Sequence, residues 1–359
     1  MLCIICQENE VTSTDGVEHV IPEAMGGSYT VKTICQKCNA KMNRSIDNPL
    51  IIDYTMRHIL GFFKVKNKDN EYPEIRFQEK MGDNKIVKLH PDSEGYYTYL
   101  TMPSKPEIED NILKFKEDIR TPKNQIIKTS DTITERLTRD NSEGKNYKIP
   151  EESKVQMNEN WDKNVFINSE GAIEKNVEID INCYRKLLVK VAHETTYDFL
   201  KEDYLNNSKG ENIRLFLKNS DKPFSELINE YDIEIFNENY NPVIFKKIIE
   251  SIHKHAALNT SNMIKDGEIV ENPERVHPSE GNFFHRIQLE YRNNDFYIAL
   301  HLFLLNNEWI YTGLIKVTNN INIDTANLKV FKRIIEENID IVTVIDTGKR
   351  ERTQFIDKH

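Results

Sequence analysis

Four of the five cysteines fall into two pairs, Cys3-x-x-Cys6 and Cys35-x-x-Cys38, with 28 residues between the pairs. A Cys-x-x-Cys turn presents two thiolates to one ion, and two such turns complete a tetrahedral zinc shell with no open position. Zinc held in that way is structural, and it stabilises a unit too small to fold on its apolar core alone. A disulfide framework belongs to secreted chains. Met1-Leu2-Cys3-Ile4-Ile5-Cys6 shows neither a basic leader nor a signal-length apolar run, so the expected location is the cytoplasm. Cys183 stands alone in an apolar helical pattern and reads as a core residue. Between the pairs runs Glu18-His19-Val20-Ile21-Pro22-Glu23-Ala24-Met25-Gly26-Gly27, and directly after the second pair Asn39-Ala40-Lys41-Met42-Asn43-Arg44. From Thr30 to Ile46 the charged residues are Lys32, Lys37, Lys41 and Arg44, with Asp15, Glu18 and Glu23 preceding them. An acidic pocket beside a basic strip suits a metal ion next to a phosphate backbone. Four basic residues taken alone describe only a solvated helix face.

An acid followed by His, an apolar-Pro pair, Gly-Gly and then Cys-x-x-Cys-Asn-x-x-x-Asn resembles the HNH endonuclease family. The Asn-containing ending resembles its HNN-like bacterial subgroup. The resemblance covers about residues 1–50 and implies a zinc-stapled ββα-metal module. It implies that His19 is the general base that activates water. It implies that Glu18, Asn39 and Asn43 contribute to one divalent metal on the scissile phosphate. Asn39 and Asn43 are four apart and share one face of the helix expected to open at Cys38. Carboxylate and amide oxygens favour Mg²⁺ or Mn²⁺ over zinc at this second site. Gly26-Gly27 would make the tight turn between the strands, and Lys37, Lys41 and Arg44 would contact phosphates. The sequence departs from the family where the middle Asn, which orients the base, aligns near Thr30.

The elements that must position these residues are read from periodicity. Asn48-Pro49 marks the exit of the module, and Leu50 to Phe62 reads as one helix with Gly61 near its end. Residues 64 to about 175 show short alternating runs, with Tyr96–Leu100 as a strand and a helix near 130–139. Tyr184, Leu187, Leu188, Val191, Ala192, Thr195 and Phe199 recur at helical spacing. Asn212–Leu217 and Pro242–Ala257 are further helices. Phe284–Tyr291, Phe296–Leu305 and Trp309–Val317 form an antiparallel meander turned by Asn and Asp residues. A last helix is expected over about 324–338. The expected class is α+β, divided into 1–50 as the nuclease module, 51–175 as a mixed connecting region and 176–359 as a helical plus β-meander domain. That last domain would serve target recognition, sensing or oligomerisation. His253, His255, His285 and His301 read as polar-face or hydrogen-bonded core histidines.

The 359 residues, 30% of them charged, carry a formal net charge of -10. That excludes a general nucleic-acid coat, which would be basic, but not a nuclease with a local basic track. No run approaches the roughly 18–20 apolar residues of a membrane helix, so no membrane partner is expected. The expected function is a metal-dependent DNA endonuclease of bacterial restriction or phage-defence type. Its alternative is a non-catalytic zinc-ribbon module that binds nucleic acid or protein. RNA stays open as a substrate. One HNH site cuts one strand, so a double-strand break implies a homodimer or two successive nicks.

Overall fold

The computed structural model describes residues 1–67, 69–78, 86–102, 107–109, 112–114, 179–262, 264–265, 268–269, 274–277, 283, 285–292, 294–321, 341–346 and 352–357. In chain order these form β1 (Glu18–His19), β2 (Thr30–Val31), α1 (Gln36–Met42), α2 (Asn48–Ile52), α3 (Tyr54–Phe62), β3 (Ile75–Gln78), β4 (Ile86–Pro91), β5 (Tyr97–Met102), β6 (Glu107–Glu109) and β7 (Ile112–Lys114). There follow α4 (Ile181–Leu200), α5 (Glu202–Leu205), α6 (Ser208–Lys218), α7 (Phe224–Glu230), β8 (Ile235–Tyr240), α8 (Pro242–Asn262), β9 (Ile264–Lys265), β10 (Glu268–Ile269), β11 (His285–Arg292), β12 (Asp295–Leu305), β13 (Glu308–Lys316), β14 (Ile341–Asp346) and β15 (Arg352–Asp357). The expected helices at 130–139 and 324–338 lie outside the described residues. The chain groups into two compact units. One comprises Met1–Glu71, Val177–Ile249 and Ser279–His359, the other Tyr72–Asn176 and Glu250–Pro278. The N-terminal module therefore shares a body with α4, α6 and the C-terminal sheet.

The first unit is built on an antiparallel sheet in the order β15-β14-β11-β12-β13-β8. Its turns follow local chemistry. Asn306 and Asn307 take φ of 51° and 64°, the left-handed pair of a two-residue hairpin, and Leu305 faces Glu308 across it. Strand β8 was not legible in the sequence. In Ile-Phe-Asn-Glu-Asn-Tyr two Asn and a Glu interrupt the strand formers, Asn237 has φ of 47°, and the strand finds its partner across β13. The expected helix over Leu50–Phe62 is split into α2 and α3. Asp53 leaves helical geometry (φ -55°, ψ 139°), and its carboxylate accepts from the backbone N–H of Thr55 and Met56 as an N-cap.

Helix α4 is buried almost all round from Leu187 to Tyr197, and it packs on β12 and β13. Its approach depends on Gly313, where a Cβ would lie 2.8 Å from Leu188 Cδ2. Leu187, Leu188, Val189 and Val191 are fully buried and together contribute about 6–12 kcal/mol of gross apolar burial. That gain offsets the several kcal/mol it costs to carry Lys190, His193 and Glu194 inside, all at 0% exposure. Cys183, expected in the core, is half-buried at the start of this helix, with its thiol toward Asp180. In the second unit β3, β4 and β5 form an antiparallel sheet. There the Asn259 side chain bonds the carbonyls of Tyr97 and Val276, and His253 Nδ1 lies 2.6 Å from the Tyr99 hydroxyl. Among the described residues no helix is long and apolar enough to cross a membrane.

Candidate active site

The two Cys-x-x-Cys turns converge. The sulfurs of Cys3, Cys6, Cys35 and Cys38 all lie within 4.8 Å of one another, and Cys6 and Cys35 are 3.9 Å apart. Zn–S bonds of about 2.3 Å in a tetrahedron put sulfurs about 3.8 Å apart, so the set fits one zinc ion and no disulfide. The Ile5 amide points at Cys3 Sγ (3.4 Å), and the Asn9 side-chain amide at Cys6 and Cys35 (3.6 Å each). Donors aimed at sulfur stabilise thiolates. The packed thiols hold Cys3 far below its ordinary range, at about 4, chiefly through the hydrogen bond from Cys38. Cys35 also begins α1, and Asp15 caps that helix by accepting from the Gln36 N–H at 3.0 Å. The helix opens at Gln36, two residues before the expected start.

From the first knuckle the chain enters β1, which pairs antiparallel with β2: Glu18 faces Val31 and His19 faces Thr30. Alternation along a strand sends neighbours to opposite faces. Glu18 and Val31 are buried, His19 is half-exposed and Thr30 exposed. Thr30, near which the family's middle Asn is expected to align, stands directly across from His19. Among the described residues nothing hydrogen-bonds the His19 imidazole. The link between the strands contains the two glycines. Gly26 closes the short turn Glu23–Met25 with φ of 85°, and a Cβ on Gly27 would fall 1.9 Å from the Ile21 carbonyl oxygen. Both positions exclude a side chain.

Asn39 is half-buried on α1 and Asn43 is exposed at its end, with the Asn43 N–H bonded to the Asn39 carbonyl. The four-residue spacing keeps them on one face. No hydrogen bond among the described residues links either amide to His19. After Asn43 the helix loosens into a π-helical turn, Asn43–Asp47, which delivers Asp47 to the interior. Of the expected phosphate contacts, Lys37 and Arg44 are exposed. Lys41 is engaged within the protein, 2.6 Å from Asp221 and 2.5 Å from the Lys218 carbonyl.

Glu18, expected at the metal, meets a buried cation. Lys190 Nζ lies 2.5 Å from Glu18 Oε1, 2.8 and 3.0 Å from the two Asp47 oxygens, and 3.2 Å from the His19 carbonyl. Burial opposes the charge on Lys190, but Asp47, Glu194 and Glu18 hold its ammonium above the usual lysine range. Burial raises Glu18, and does so against the pull of Lys190. Glu194 is raised further by burial, and neither of its oxygens finds a hydrogen-bond partner among the described residues. The sequence reading missed Lys190, Asp47 and Glu194. Lys190 and Glu194, four apart inside an apolar helical pattern, were the available signal.

Other contacts fasten the knuckle to the helices. His193 Nε2 donates to the Ile4 carbonyl (3.2 Å) while its Nδ1 accepts from Tyr204, and Arg214 donates to the Ile5 carbonyl (2.8 Å). His285 Nε2 donates to the Met25 carbonyl at 3.0 Å.

A four-cysteine cluster that could hold a metal, a two-stranded ribbon carrying an acid-His pair, and a helix led by the second knuckle make up a β-β-α module. Residues 3–55 match the family model described as HNH endonuclease, so the N-terminal module is of the HNH endonuclease type. Comparison with curated proteins and with solved structures returns no match.

Proposed function

We propose that the protein is a metal-dependent DNA endonuclease. The observation that carries this reading is the His19–Thr30 pair, set on the open face of a ribbon within the matched residues 3–55. His19 takes a proton from the attacking water, and Thr30, its cross-strand neighbour, or a nearby backbone carbonyl would orient its ring. Asn39 and Asn43 would hold a divalent ion through amide oxygens, and Glu18, turned inward to Lys190, would join them only by leaving that ion pair. That oxygen set suits Mg²⁺ or Mn²⁺, which when bound neutralises charge on the phosphate and the leaving oxygen. The four cysteines hold structural zinc. Lys37 and Arg44 supply phosphate contacts, and Lys41 joins them only by leaving Asp221. A small module reads little DNA sequence, so target choice falls to the larger remainder, as in a restriction or phage-defence enzyme.

A second reading is favoured by one observation, the ion pair that occupies Glu18. In it the module is a zinc ribbon that binds nucleic acid or protein and does not cut. Nicking of supercoiled plasmid by wild type and His19→Ala, with Mg²⁺, Mn²⁺ or EDTA, separates the two. Cleavage by wild type alone, abolished by EDTA, is expected. Cleavage that survives His19→Ala overturns the site, and absence of cleavage on DNA and RNA panels favours the ribbon.

A further inference from the structure

We infer that Lys190 is a positioning residue for the His19 site, setting from beneath the relation between the strand that bears the base and the helix that bears Asn39 and Asn43. Its effect on turnover rests on the nuclease reading above, whereas its effect on the strand does not.

An ammonium has three donors and no acceptor. Those of Lys190 go to three groups of the module: the Glu18 carboxylate and the His19 carbonyl on β1, and the Asp47 carboxylate at the end of the π-helical turn that follows α1. The strand and the helix are thereby referred to one atom on α4. Lys190 and Asp47 are 143 residues apart in sequence. Lys190 is 0% exposed, so neither water nor salt competes for these bonds. A methionine would fill similar space without desolvating a charge, so packing alone does not require an ammonium here. Holding Glu18 inward and the His19 carbonyl from the same side fixes the pleat of β1. The pleat decides the direction in which the His19 ring leaves the strand. Because a misplacement of about 1 Å costs on the order of 100-fold in rate, such a hold matters to catalysis.

The test uses the full chain as wild type, Lys190→Met, Lys190→Arg and Asp47→Asn. Zinc content, kcat and KM for plasmid nicking, and amide hydrogen exchange are measured on each. Lys190→Met is expected to keep its zinc and its KM while kcat per folded molecule falls about 10- to 100-fold. Exchange should quicken across residues 18–31 and not at the cysteine turns. Lys190→Arg should recover part of the loss, and Asp47→Asn should shift kcat and exchange the same way by less. Wild-type kcat and exchange in folded Lys190→Met overturn the inference. If Lys190→Met fails to fold, Asp47→Asn decides by the same two readouts: a fall in kcat with zinc retained supports the role, and no change removes it. If the wild type does not cut, the nuclease reading fails and exchange alone judges Lys190. Faster exchange at 18–31 upholds the hold on the strand, and unchanged exchange rejects it.

Discussion

An alanine at position 27 would put a methyl group where the backbone of Ile21 already runs. Its Cβ would stand 1.9 Å from the Ile21 carbonyl oxygen, 2.7 Å from the carbonyl carbon and 3.0 Å from the Ile21 Cβ. Atoms in contact prefer about 3.5 Å, so the two segments must part by about 1.6 Å. The obstacle is main chain, and no rotamer change relieves it. Parting also strains two backbone bonds, Gly27 N–H to the Pro22 carbonyl (3.2 Å) and Val20 N–H to the Tyr29 carbonyl (2.9 Å). Overpacking of about 1–3 kcal/mol and about 1 kcal/mol for each weakened bond give a loss of about 3–5 kcal/mol for Gly27→Ala. That is a large share of the roughly 5–15 kcal/mol that holds a domain folded. Val20 follows His19 and Tyr29 precedes Thr30, so the disturbance reaches the site and nicking should fall with stability. Urea unfolding of zinc-loaded protein measures the loss. With a slope of about 1–3 kcal/mol per molar, the midpoint should drop by about 1–5 M. Gly16→Ala is the control, because nothing lies within 4 Å of its added Cβ, and it should stay within about 0.5 kcal/mol of wild type. A Gly27→Ala midpoint as close to wild type as that of the control would refute the steric argument.

Cys35→Ser removes one thiolate and alters the residue that begins α1, so loss of zinc and melting of the N-terminal module are expected. Unchanged zinc content and melting profile would contradict the staple. Glu194 is held above the ordinary carboxylate range by burial, so its contribution is complete below about pH 4.5 and lost as pH rises through its folded value. Glu194→Gln should therefore gain stability over wild type with rising pH and show little gain near pH 4. A pH-independent difference in melting temperature argues against this. His193 is held down to about 4 by burial, so it should remain neutral at pH 5 in the folded protein. The unfolded chain takes up that proton near pH 6.5, so stability is full above 6.5 and falls toward pH 4. A His193 ring resonance that titrates near 6.5 rules out the buried neutral state.

Features governed by neighbouring residues were legible in the sequence. The cysteine pairs announce a tetrahedral site because two residues three apart share one turn. Asn306-Asn307 announces a hairpin because asparagine tolerates the left-handed region its turn requires. The 3.6-residue spacing of Tyr184, Leu187, Leu188 and Val191 announces α4. The split at Asp53 was the exception among local features, since an N-cap inside an apolar run resembles an ordinary polar position until its carboxylate is seen accepting backbone N–H groups. Only the tertiary structure decided what surrounds each helix and strand. Periodicity marks an apolar stripe, but not that Lys190 and Glu194, off that stripe, are enclosed as well. The Glu18-His19 pair suggests a chemistry, yet pleating sends one side chain inward and the other outward, and nothing local says which way. Lys41 looked available for phosphate until Asp221 was brought beside it. Local torsion preferences determine elements and turns, whereas the partner of a buried charge is set by segments far apart in the chain that meet only when the core closes.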